Sequence, residues 1–155
     1  MNTNRVWIYL SDKALASPSE TNLKKDIQNF LLGWSAHGTK LSSSFEILYH
    51  QIIVIKADEA QCRAGGCSID TQINSIKELE KKYAISLLNR LLVAYKKEDK
   101  LVVTPLSNID SLFSQGLINE NTLIVDTSIS SEEEYNHSFE KPLKETWLNN
   151  HVLQK

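Results

Sequence analysis

Cys67 stands in the segment Gly65-Gly66-Cys67-Ser68-Ile69-Asp70, immediately before a run of residues with helical periodicity. A thiol at a helix start has its thiolate favoured by the positive end of the helix dipole, which makes Cys67 a candidate nucleophile. Such a nucleophile needs a base, and His37 offers an imidazole that Asp58 or Glu59 would orient, the arrangement of a thiol-dependent hydrolase or transferase. The same helix start also directs free backbone N–H groups outward. Trp34, His37, Gly65, Gly66, Cys67, Ser68 and Asp70 are therefore the candidate residues for holding a small anionic ligand. Each also has a plainer structural reading. Cysteine commonly serves as a small buried hydrophobe, serine caps helices, and two glycines before a helix often only make the turn. Those readings favour a binding or interaction module without catalysis, with the Cys67 and His37 enzyme as the alternative.

Other chemistries fit less well. Cys62, Cys67 and His37 are ligand types that suit zinc, but the Cys-x4-Cys spacing is loose and no second Cys or His pair lies nearby, so neither metal nor cofactor is expected. Gly33-Trp34-Ser35-Ala36-His37-Gly38-Thr39-Lys40 carries P-loop glycines but ends in Thr-Lys, where the motif requires Lys followed by Ser or Thr. It also closes a helical pattern rather than opening one, so it would not cradle phosphates. Glu132, Glu133 and Glu134 follow Ser131 and read as a helix start, because carboxylates favour that end of the dipole. Trp7, Trp34 and Trp147 read as core or edge anchors.

A chain of 155 residues is long enough to bury about 70% of the surface its unfolded form exposes, so one domain spanning 1–155 is expected, with a core of 5–104 and an extension of 105–155. Seventeen Lys and Arg against nineteen Asp and Glu leave a formal charge of -2, which argues against a nucleic-acid binder. Neither a membrane-length apolar run nor a signal peptide is visible, and two cysteines are too few for a disulfide framework. A soluble, cytoplasmic protein is expected, with no membrane partner.

The elements that must position these residues follow from periodicity. Residues 5–10 (Arg-Val-Trp-Ile-Tyr-Leu) read as a strand. Leu23, Ile27, Phe30, Leu31 and Trp34 make one helical stripe over 19–34, which Gly38 should close after His37. Residues 45–49 and 51–57 read as a hairpin meeting near His50, and the spacing of Ile69, Ile73, Ile76, Leu79 and Tyr83 predicts a helix over 68–84. Strands over 91–95 and 101–104 flank the charged turn 96–100. Beyond them come a short helix over 107–116, a strand over 122–126 and a helix from Ser131 that Pro142 should end, with 146–148 packing back on the body.

The order β-α-β-β-α-β points to an α/β (α+β) fold with a ferredoxin-like core, one extra hairpin strand and a C-terminal helix-strand-helix extension. In that topology 34–38, 58–70 and the turn 96–100 meet at one end of the sheet. An exposed sheet edge would also allow a homodimer.

Val6-Trp7-Ile8-Tyr9, Trp34-Ser35-Ala36-His37-Gly38, Asp58-Glu59, Gly66-Cys67-Ser68-Ile69-Asp70 and Gly116-x-Ile118-x-x-x-Thr122 resemble a small family of bacterial proteins of about this length, over nearly the whole chain. Its members commonly carry the label ABC transporter ATPase. The resemblance implies no ATPase activity here, because the Walker A lysine that would hold β- and γ-phosphates is missing. Residues 112–125 also look like the helix-turn-strand portion of GYF-type peptide-binding modules, which implies a local shape.

Overall fold

Ile52, Ile53, Val54 and Ile55 follow one another in a segment that a strand pleat divides between two faces, so both faces must be covered. The computed structural model, which describes residues 4–60 and 62–153, shows how. Strand β5 (Ile52–Asp58) lies at the centre of an antiparallel sheet, between β1 (Asn4–Leu10) and β4 (Ser42–Leu48), in the order β1-β5-β4. Ile53, Ile55 and Ala57 face helices α1 (Ser17–Gly33) and α2 (Gly66–Tyr83), packing with Leu23, Ile27, Leu31, Ile76 and Leu79. Ile52 and Val54 face the opposite way, onto a second sheet.

That second sheet has the antiparallel order β7-β6-β8-β9, formed by Lys100–Pro105, Leu92–Lys97, Leu123–Val125 and Glu140–Pro142 respectively. Ala94 and Val125 join Val6, Leu10, Ile52 and Val54 between the sheets, while Val93, Tyr95 and Ile124 face outward. Helices α3 (Ile109–Ser114) and α5 (Leu148–Leu153) cover that outer face through Ile109, Leu148 and Val152. The result is four layers in the order helix, sheet, sheet, helix. Among the described residues no helix is long and apolar enough to cross a membrane.

The strand pairing departs from the ferredoxin-like expectation. That arrangement needs a fourth strand beside β1, and β6 instead pairs with β7 and β8. The outer edge of β1 is met by the C-terminal extension, where Val6 N–H donates to Ser130 O at 3.0 Å and Arg5 bridges Ser131. The reason is burial. A single sheet with helices on one face would leave Val6, Leu10, Ile52, Val54 and Ala94 against water, whereas stacking a second sheet leaves each of them at most 6% exposed. Ile109, Ile118, Ile124, Val125, Leu143 and Leu148, all beyond residue 104, are buried.

Other boundaries shift for local reasons. Helix α1 stops at Gly33 rather than at Gly38, and His37 (φ 52°) with Gly38 (φ 79°) turns a short hairpin of β2 (Ser35–Ala36) and β3 (Thr39–Lys40). The turn between β6 and β7 lies near Tyr49, over whose ring Lys96 Nζ sits at 5.3 Å, and so at the far end of the first sheet from Asp58. Pro142 ends β9 rather than breaking a helix. Trp147 is 63% exposed, and the neighbouring Leu148, at 1%, makes the contact expected of it. Ser131 caps α4 (Glu132–Ser138) as its sequence predicts, accepting from Glu134 N–H at 3.1 Å.

Two substitutions check the layered core. Ile55→Ala should cost about 2–5 kcal/mol of stability in urea denaturation. The exposed Leu32→Ala should stay within about 0.5 kcal/mol of the parent.

Candidate functional site

The corner where α1 ends and α2 begins brings several of the expected residues together, chiefly as a structural joint. The Trp34 indole is 2% exposed, edge-on to Trp7 at 5.5 Å and tilted against Phe30 at 5.9 Å. Its Nε1–H donates to Ser68 O at 2.8 Å, and Ser68 Oγ donates to Ser35 O at 2.9 Å. Ser68 is therefore not the helix cap that its position suggests. The cap is Gly65, in extended backbone and without a side-chain bond, and Ser68 lies in the first turn with its hydroxyl turned back to the strand after α1. Burying the indole accounts for the exchange, since its N–H needs an acceptor and the α2 backbone supplies one.

The remaining expected residues are more open. His37 is exposed, with Nε2 3.5 Å from where a Cβ on Gly65 would stand. Cys67 is a free, exposed thiol at the second residue of α2, and Gly66 and Asp70 are exposed beside it. Cys62, also free, is half-buried with Sγ 3.5 Å from Ala36 O. The acids serve the loop: Asp58 Oδ1 accepts from Ala60 N–H at 2.9 Å, and Glu59 Oε2 accepts from Ala64 N–H at 2.7 Å. Among the described residues no hydrogen bond joins Cys67 to His37, and no three His, Cys, Asp or Glu side chains converge as a metal site would require.

A second concave region lies elsewhere. A cleft of about 340 Å³ opens where β1, β6 and β8 meet the segments before β6 and after β9, and is lined by residues 8–10, 87–90, 92–93, 124–128, 141 and 145–148. Leu10, Val93, Ile124, Val125 and Leu148 make its apolar lining, and the exposed Trp147 stands at its rim. Its polar groups include Tyr9, Arg90, Asp126, Ser128, Lys141 and Glu145.

Electrostatics separate these groups. Burial pushes the Tyr9 hydroxyl up to about 12 against the pull of the Arg90 guanidinium, so Tyr9 stays protonated and donates to Gln72 Oε1. Burial also acts to raise the Asp126 carboxyl, but hydrogen bonds from Ser128 and the ion pair to Lys141 at 3.1 Å outweigh it and hold Asp126 below the usual carboxylate range. Lys141 is thus already neutralised. Among the described residues Arg90 has no carboxylate within ion-pair distance, and neither does Glu145 have a cation. Arg90 is exposed where it lines the cleft, so its guanidinium is open to a ligand there.

Sequence reasoning missed this cleft because its walls come from four distant segments with no motif among them. The one local signal is Arg90, a lone cation between the apolar pair Leu87-Leu88 and the apolar residues 91–95. No protein-family model, no curated protein and no solved structure matches the chain.

The joint and the cleft each yield an expected outcome. Trp34→Phe and Ser68→Ala should each lose about 1–3 kcal/mol. Because both act on one joint, the double variant should lose less than the sum of the two. The Asp126 carboxyl, depressed in the folded state, contributes stability that is present above about pH 4 and lost as pH falls through its folded value. Urea midpoints between pH 7 and 3 should accordingly fall less steeply in Asp126→Asn than in the parent.

Proposed function

We propose that this protein is a small-ligand-binding module rather than an enzyme, and that its ligand is a compact organic anion seated in the cleft that Arg90 lines. The observation that carries this reading is Arg90, exposed and without a carboxylate in ion-pair distance among the described residues, lining one cleft with the apolar Leu10, Val93, Ile124 and Val125. An anionic head would take the two parallel N–H donors of the guanidinium, while an apolar body would displace water from the floor. Trp147 at the rim offers a flat face for an aromatic portion, and Glu145 an acceptor for a ligand N–H or O–H.

The test is thermal unfolding against a panel of aliphatic and aromatic carboxylates and organic phosphates. At a hundredfold excess over Kd a ligand adds about 2.7 kcal/mol, equivalent to a rise of about 5–10 °C in Tm for a domain of this size. Arg90→Ala and the cleft-filling Ile124→Trp should each abolish the rise. A panel that leaves Tm unchanged, or a shift that survives Arg90→Ala, overturns the reading.

A second reading keeps a thiol-dependent hydrolase or transferase at Cys67 with His37 as base. It is favoured by the exposure of both side chains at one corner, with the imidazole against Gly65 at the start of α2. Iodoacetamide labelling of Cys67 should then slow at least fivefold in His37→Ala. An unchanged rate removes it.

A further inference from the structure

We infer, resting on the reading of the Arg90 cleft as a ligand site, that its ligand is a free amino acid with an apolar side chain, held as a zwitterion between Arg90 and Glu145. Four charged side chains line the cleft: Arg90, Asp126, Lys141 and Glu145. Asp126 and Lys141 neutralise each other at 3.1 Å. That leaves one cation, on the segment before β6, and one anion, on the turn after β9. Among the described residues neither has an ion-pair partner, so they line one opening without closing on each other. Both are exposed, and the Arg90 charge also acts on the buried phenol of Tyr9, another lining residue.

This charge pattern separates ligand classes. A dicarboxylate or an organic phosphate gains Arg90 but brings further negative charge toward Glu145 and Asp126, and an amine without a carboxylate gains Glu145 but opposes Arg90. A carboxylate and an ammonium on one small molecule satisfy both side chains through charge-assisted hydrogen bonds, and add no net charge to a lining that is itself balanced. The side chain of that molecule then lies on Leu10, Val93, Ile124 and Val125. Trp147, two residues from Glu145 and also lining the cleft, favours an aromatic one. About 340 Å³ accommodates a single molecule of this kind.

Thermal unfolding of the full chain against L-phenylalanine, phenylpropionate and phenethylamine, each raised to about 10 mM, tests this, with affinities taken from the concentration dependence of Tm. The three share a ring and differ in charge. L-phenylalanine should bind best, and loss of either charge should weaken binding about tenfold. Glu145→Gln, at an exposed position where folding is undisturbed, should weaken L-phenylalanine about tenfold and leave phenylpropionate unchanged or tighter. Arg90→Ala should weaken both. Phenylpropionate or phenethylamine binding as tightly as L-phenylalanine, or a Glu145→Gln variant that keeps the parent's affinity for L-phenylalanine, overturns the zwitterion while the anion site stands. Binding of none of the three, or binding of L-phenylalanine that survives Arg90→Ala, overturns the cleft as the ligand site and the zwitterion with it.

Discussion

Four consecutive apolar side chains, Ile52, Ile53, Val54 and Ile55, are withdrawn from water to 1% exposure or less, and a strand sends alternate ones to opposite sides. No single covering layer can shield them. Helices α1 and α2 take Ile53 and Ile55, and a second sheet takes Ile52 and Val54. That sheet in turn presents Val93, Tyr95 and Ile124 on its far side and requires α3 and α5 to cover them. Each layer exists because the one before it has two apolar faces, and the C-terminal third of the chain is recruited by this demand.

The same demand explains where the reactive-looking residues ended up. Trp34, Ser68 and Cys62 lie at the junction of the helical layer with the first sheet, and the joint uses their polar atoms: indole N–H to Ser68 O, hydroxyl to Ser35 O, thiol toward Ala36 O. A buried donor without an acceptor costs about 1–3 kcal/mol, so pairing within the joint prevails over leaving those atoms free for a ligand. Cys67 and His37, one turn further out, stay exposed. Arg90 lies away from the joint. It sits exposed on the connection from the helical layer to the second sheet, where among the described residues no acidic side chain comes within ion-pair distance, and it lines the cleft where β1, β6 and β8 meet.

The stacked sheets also give the polar contacts between layers their role. Tyr135 donates to Glu46, Lys56 pairs with Glu132 at 3.9 Å, and Tyr49 donates to Glu140 at 2.8 Å while Lys96 approaches the same carboxyl. These contacts join side chains of the first sheet and its turn to α4 and to the second sheet. Apolar stacking is nondirectional, so paired groups at the margins are what set the rotation of one sheet on the other.

Residue pattern by itself determined the elements. The stripe of Leu23, Ile27 and Leu31, the spacing of Ile69 to Tyr83, the apolar run of β5 and the cap at Ser131 are local signals, and each element formed within a few residues of where they place it. The tertiary structure alone decided the partners. Whether β6 lies beside β1 or on top of it is not written in its own alternation, because Val93 and Ala94 are apolar on both faces in either case; the choice rests on the summed burial of Val6, Leu10, Ile52, Val54 and Ala94. Ser68 looked like a cap because capping is local, and became a clamp because Ser35 O lay 33 residues away in sequence but 2.9 Å away in space. The cleft is of the same kind. Its walls are four segments that no periodicity connects, and Arg90 acquires meaning only when the layers close around it.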